Sequence, residues 1–109
     1  MKTLLILLLT IPTLASAAPG LIGEYFKLNE KLGDEFEVPV GQKPWLVRAD
    51  KQINFAEASA DFYGSKLDNQ FVVRWTGSIH IEKAGSYTFY THSDDGSRLY
   101  INEQRVVDN

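Results

Sequence analysis

Two adjacent carboxylates, Asp94 and Asp95, precede Gly96 in the segment Ser93-Asp94-Asp95-Gly96-Ser97-Arg98-Leu99-Tyr100-Ile101. Carboxylates gathered on a sharp turn hold hard cations such as Ca2+, and a cation at a loop tip can present itself to sugar hydroxyls. The same tripeptide is also ordinary turn chemistry, with Asp94 accepting hydrogen bonds from nearby backbone N–H groups and Asp95 solvated. In a regular strand neighbouring side chains point to opposite faces, so consecutive aspartates share an ion only where the backbone leaves the strand. Ca2+ takes roughly six to eight oxygens, more than two carboxylates supply. Ser97 and Arg98 flank the pair and are candidates to touch a ligand. The plainer reading of Arg98 is an exposed ion pair with an aspartate, worth roughly 0–1 kcal/mol. Trp45, beside Pro44 in an irregular stretch, is the best candidate for an exposed aromatic that stacks on a sugar; its alternative is burial as a loop anchor.

Other chemistries find less support. His80 and His92 have no companions at zinc-ligand spacing. Ser93 or Ser97 with His92 and an aspartate suggests a triad, yet nothing resembles a nucleophile elbow or an oxyanion hole. Glycoside hydrolysis needs two carboxylates about 5 Å or more apart across the scissile bond, and adjacent residues aimed at one point do the opposite. The chain is therefore expected to be non-catalytic.

The elements that must position these residues read as strands. Phe71, Val73, Trp75, Ile79 and Ile81 alternate with Arg74, Thr76, Ser78, His80 and Glu82, giving one core face and one wet face, with Gly77 a bend on the inner row. A turn at Glu82-Lys83-Ala84-Gly85 leads to a second strand through Tyr87, Phe89 and Thr91, and Leu99 with Ile101 mark a third. Leu21 to Leu28 reads as an N-terminal strand, Ile53-Asn54-Phe55 as a short one, and Trp75 and Phe71 as core. Residues 29–44 and 56–69 are irregular connections. Short strands punctuated by Gly, Pro, Asn and Asp predict an all-β fold, an antiparallel barrel or sandwich. Register constrains the acidic tip. A two-residue turn at Asp95-Gly96 would set Phe89 on the face of Asn102, mixing core with solvent. A three-residue loop, Asp94-Asp95-Gly96 with Gly96 left-handed, sets Phe89 opposite Ile101 and Thr91 opposite Leu99 inside. It leaves His92 opposite Arg98 and Tyr90 opposite Tyr100 outside.

Composition narrows the function classes. Lys2 followed by the apolar run Leu4 to Leu14 and the small-residue signature Ala15-Ser16-Ala17 predicts a secretory signal peptide over residues 1–17, the alternative being an uncleaved N-terminal anchor. The run is short for a membrane span and is broken by Pro12. Residues 18–109 then form one domain, secreted or otherwise extracytoplasmic. Ten basic residues against fourteen acidic ones remain after Lys2 is lost, and they are scattered singly, which argues against nucleic acid, an anionic membrane surface or membrane insertion. Cysteine is absent, so neither a disulfide nor a thiolate zinc site is available.

Five ordered motifs carry a resemblance. Gly20-Leu21-Ile22-Gly23-Glu24-Tyr25-Phe26, Arg48-Ala49-Asp50 through Ile53-Asn54-Phe55, Phe71-Val72-Val73-Arg74-Trp75-Thr76-Gly77, Gly85-Ser86-Tyr87-Thr88-Phe89 and the acidic segment closely resemble the PA-14 domain, named after the anthrax toxin protective antigen. Val106-Val107-Asp108-Asn109 also looks like the family's pattern after its acidic hairpin, although Asn102-Glu103-Gln104 stands where many members have Asp-Gly. The resemblance implies a β-barrel-like or sandwich fold, used as an accessory module in secreted hydrolases, toxins and adhesins. It implies carbohydrate binding with Ca2+ at Asp94 and Asp95, glycans and neighbouring domains of a parent protein being the partners. The alternative is a structural or protein-interaction module without sugar or metal. In the family's lectin-like members the paired aspartates are joined by a cis peptide and share the ion with a later loop. That loop would fall beyond Asn109, so the chain is expected to be an incomplete domain, roughly its N-terminal two-thirds, poorly stable alone because of unpaired sheet edges.

Overall fold

A computed structural model describes residues 3–10, 20–29, 37–56 and 61–109 of the chain. They hold six strands and one short 3-10 turn: β1 (Thr3–Thr10), β2 (Leu21–Lys27), β3 (Leu46–Asp50), the turn Phe62–Gly64, β4 (Phe71–Ser78), β5 (Asp95–Ile101) and β6 (Gln104–Asp108). One open sheet takes the order β3-β2-β4-β1-β5-β6, and no helix of the described residues is long and apolar enough to cross a membrane. The all-β expectation holds. The sheet is mixed rather than purely antiparallel, because β1 runs parallel to both its neighbours, and it is sandwich-like rather than closed into a barrel.

β4 is the keystone, as its period-2 pattern requires. Its odd residues Phe71, Val73 and Trp75 join Tyr25, Phe62 and Leu67 in the main core, with Leu7, Leu21, Leu46, Ile53 and Phe55 packed against it. Val72 points the other way, into a smaller cluster with Ile6 and Phe26 that Leu8, Leu28, Val38 and Tyr100 cover. Phe71, Val72 and Val73 are fully buried, so β4 carries core on both faces at its start, while Arg74, Thr76 and Ser78 farther along it stay partly exposed.

The structure corrects three local expectations. The segment through Tyr87, Phe89 and Thr91 is not a strand: Tyr87 is 52% exposed and Tyr90 87% exposed. The physical reason is competition, since the edge of β5 that this segment would pair with is taken by β1, whose Ile6 to Leu9 offers apolar side chains to both faces. Ile53 to Phe55 forms no strand, although Ile53 and Phe55 still supply core, and the ordered strand lies just upstream at Leu46–Asp50. The left-handed residue of the acidic segment is Asp95, with φ 80°, rather than Gly96. Downstream, Ile101 opposite Gln104 leaves a two-residue turn at Asn102-Glu103, both with positive φ, the twist that hairpins prefer. Thr3–Thr10 belongs to the stretch expected as a leader, and Ala15-Ser16-Ala17 lies outside the described residues.

Candidate functional site

The acidic segment enters the sheet at Asp95, so only Asp94 precedes the strand, and both carboxylates belong to exposed residues. The peptide joining them is trans. Among the described residues no group of three or more histidines, aspartates or glutamates is placed to hold a metal. Two neighbouring carboxylates by themselves provide fewer oxygens than the roughly six to eight that Ca2+ takes.

The flanking residues are committed elsewhere. Ser97 is fully buried. Its backbone exchanges two 2.9 Å hydrogen bonds with Asn109, and its hydroxyl donates to Thr91 Oγ1 at 2.7 Å. Arg98 lies along the sheet with a side chain 12% exposed, paired with Asp108 at 3.1 Å and Glu37 at 3.5 Å. Its pKa is raised, chiefly by the hydrogen bond to Asp108, so it stays a cation.

Trp45 stands at the other side of the sheet, half exposed at 54% yet fixed at several points. Its backbone N–H donates to the Tyr25 carbonyl at 2.7 Å, and its indole Nε1–H donates to the Ser65 carbonyl at 3.0 Å. Lys27 Nζ lies 5.4 Å from the ring centroid, within cation–π range. Tyr63 projects from the same 3-10 turn, 44% exposed. Its φ of 46° is a left-handed conformation that bulky residues rarely hold. Arg48 Nη1 donates to its carbonyl, its hydroxyl donates to the Ala56 carbonyl at 3.2 Å, and its ring packs on Phe55 and Phe62. Two partly exposed aromatic rings, each held by backbone and side-chain anchors, thus frame the turn at Phe62–Ser65.

Sheet register relates the two regions. Leu46, Tyr25, Val73, Leu5 and Ser97 occupy one row across β3, β2, β4, β1 and β5. Trp45 and the acidic pair therefore sit at the same end of the sheet but four strand spacings apart, roughly 19 Å. The structure does not bring them into one pocket.

Sequence reasoning missed a third cluster, buried around Asp50. Its Oδ2 accepts from the Tyr25 hydroxyl at 2.6 Å and Trp75 Nε1 at 2.7 Å, and its Oδ1 from Arg48 Nε at 2.8 Å. Arg48 Nη2 donates to the Tyr25 hydroxyl at 2.9 Å, and the guanidinium lies over the tyrosine ring. Burial, then the hydrogen bond to and charge of Asp50, push the Tyr25 phenol well above its usual range, against a smaller opposing effect of Arg48. Gly23 makes room for the cluster: a Cβ there would meet Trp75 Nε1 at 2.8 Å and Asp50 Oδ2 at 2.9 Å. Every strong polar group is satisfied inside, so the cluster clamps β2, β3 and β4 together and presents nothing to a ligand. The available signal was the pairing of Gly23-Glu24-Tyr25 with Arg48-Ala49-Asp50, two motifs legible as a resemblance but not as contacts.

Comparison with known proteins places this geometry. The family profile described as PA14 domain matches residues 17–109. The chain is also 40% identical over 65 residues to the anti-sigma-I factor RsgI3 of Acetivibrio thermocellus, a match covering 59% of this chain and 10% of that protein. The chain thus spans only a small part of that relative's length. No solved structure matches.

Proposed function

Because the chain belongs to the PA14 domain family, we propose that it is a non-catalytic carbohydrate-binding module, exported from the cytoplasm and accessory to a larger protein. The observation that carries the reading is Trp45, a large aromatic left half exposed while its backbone and indole N–H groups are both hydrogen-bonded. A flat ring held still in this way offers a stacking face at little ordering cost, and its amphipathic character suits a sugar's C–H face against water. Tyr63 extends the surface, and Gln42 and Lys66 provide polar neighbours in the sequence around it. The acidic pair is the other candidate contact. Calcium at Asp94 and Asp95 is a separate part of the proposal, to be decided by chelation.

Two findings support the accessory role. The relative's matched portion is a tenth of a much longer chain, as befits a module that recurs inside larger proteins. The family match begins at residue 17, which leaves β1 outside the domain and fits removal of residues 1–17 on export. The test is a glycan array followed by calorimetry, comparing the chain with Trp45→Ala and with a Ca2+ chelator. Binding lost in Trp45→Ala with an unchanged fold supports the aromatic site, and binding lost on chelation assigns the metal. No glycan bound under any condition would overturn the reading in favour of a structural or protein-interaction module.

A further inference from the structure

The aromatic surface at Trp45 and Tyr63 is tied to the interior of the sheet by one side chain. We propose that Arg48 is the positioning residue of that surface: it acts on the turn that carries both rings' anchors rather than on a ligand. The inference rests on the carbohydrate reading of Trp45 and Tyr63 given above.

A guanidinium is planar and donates in fixed directions. In Arg48 two of those directions end in the buried clamp, Nε on Asp50 Oδ1 at 2.8 Å and Nη2 on the Tyr25 hydroxyl at 2.9 Å. Its Cζ also lies 4.8 Å from the centroid of the Tyr25 ring, which is fully buried. Two bonds and a ring beneath it fix the plane of the group, so the clamp determines where the remaining nitrogen points. Nη1 points out of the clamp and donates to the Tyr63 carbonyl. That bond is charge-assisted, and Asp50 keeps its donor's charge balanced inside the sheet.

The turn needs a hold from outside. It closes through the Ser65 N–H on the Phe62 carbonyl at 3.0 Å, with Tyr63 at φ 46° and Gly64 at φ 79°. Two successive positive values are those of a type I′ turn. The pair Tyr63-Gly64 suits a type II turn better, in which glycine keeps its positive φ and the residue before it takes φ near about −60°. Both forms make the same closing bond, so that bond does not choose between them. They differ at Tyr63, whose side chain leaves the backbone on different sides in the two. The choice falls to the Arg48 bond, to the packing of the Tyr63 ring on Phe55 and to its hydroxyl on the Ala56 carbonyl at 3.2 Å. Of these, the Arg48 bond is rooted in the buried cluster, whereas the other two belong to a half-exposed side chain. Trp45 depends on the same turn, because its indole N–H donates to the carbonyl of Ser65, itself 2% exposed. A turn that relaxes to type II therefore moves the Tyr63 ring and loosens the Trp45 anchor together.

Arg48→Lys keeps the charge and loses the planar fork. The chain has two tryptophans, so NMR follows the solvent exchange of each indole N–H separately and without any ligand. The proposal expects the Trp45 indole to exchange roughly 10-fold or more faster in Arg48→Lys, with the contact between the Tyr63 and Phe55 rings lost. Tyr25→Phe is the control, since it removes bonds of the clamp and leaves Arg48 its Asp50 and Tyr63 acceptors. It is expected to lower the unfolding midpoint while Trp45 exchange and the Tyr63–Phe55 contact stay native. On a glycan array, Arg48→Lys is expected to bind roughly 10-fold or more weakly, and Tyr25→Phe as the native chain does. An Arg48→Lys chain with native Trp45 exchange, one that does not fold, or a Tyr25→Phe chain that loosens Trp45 equally would each overturn it. A native chain that binds no glycan overturns the carbohydrate reading alone, and the exchange result still decides what Arg48 holds.

Discussion

Asp50→Ala is the perturbation that most directly tests what holds this sheet together. In the native chain the carboxylate accepts three hydrogen bonds, from the Tyr25 hydroxyl, Trp75 Nε1 and Arg48 Nε, and the residue is 8% exposed. Removing it leaves two donors from fully buried rings without acceptors, each costing about 1–3 kcal/mol, and strips Arg48 of its counter-charge. Arg48 is partly exposed and keeps the Tyr63 carbonyl, so its share is at the low end of what breaking an ion pair costs. The expected loss is about 3–5 kcal/mol, against a total of about 5–15 kcal/mol for a typical domain. Asp50→Asn is expected to lose less, about 2 kcal/mol, because its carbonyl still accepts from the two rings while its amide faces the guanidinium. Urea unfolding followed by tryptophan fluorescence reads both, Trp75 being the reporter in the clamp. A loss under about 1 kcal/mol for Asp50→Ala would refute the reasoning, since it would mean that Tyr25 and Trp75 find water or other acceptors and that the clamp is dispensable.

Three further outcomes follow from the same contacts. Gly23→Ala is expected to cost about 1–3 kcal/mol, because the added methyl meets Trp75 Nε1 and Asp50 Oδ2 inside 3 Å, whereas Gly41→Ala, with φ 76° and open space around it, costs only about 1 kcal/mol of backbone strain; paired denaturation curves check the order. Alkaline stability is set in part by Tyr25. Its folded phenol pKa is raised, so its contribution is complete below the unfolded value near about 10 and is lost as pH rises from there toward the folded value. Tyr25→Phe should flatten that part of the stability profile and delete the latest step of the phenolate absorbance titration. Trp45→Ala, which removes a half-exposed ring, is expected to cost about 1–2 kcal/mol while Trp75→Ala costs about 3–5 kcal/mol, as judged by thermal melts.

Legibility followed locality. β4 was readable because one strand carries its own evidence, alternate apolar residues from Phe71 to Trp75 that the structure buries in one core. β2 was readable as a strand over Leu21 to Leu28, but not which of its side chains face inward. The Asp50 cluster was not, because its meaning lies in a pairing across 25 residues: a lone aspartate at the end of an ambiguous stretch gives no sign that two aromatic donors converge on it. At the proposed site, Trp45 was legible as a half-exposed aromatic, whereas Ser97 and Arg98 were read from adjacency to the aspartates. Strand alternation buries Ser97, and β6 together with Glu37 engages Arg98.

The hairpin expectation shows why local consistency is not sufficient. Strand and loop signals from Tyr87 to Ile101 agree with one another, and the pairing they specify is antiparallel, short-range and entropically cheap to close. A remote segment can still displace it when the slot is buried on both faces, because each slot position then rewards apolar volume rather than alternation. Ile6 to Leu9 meet that demand at every position, and the local segment fails it at Thr91 and His92, which would have to sit between Trp75 and Leu99 and between Arg74 and Arg98. The contest is decided by composition, so it is reversible by composition. Polar substitutions in β1 should hand the slot to the local strand, and replacing Thr91 by Val should narrow the difference without touching β1. If Thr91→Val leaves hydrogen exchange at residues 87–91 unchanged in a chain whose β1 is weakened by Leu7→Lys, apolar matching is not what decides occupancy.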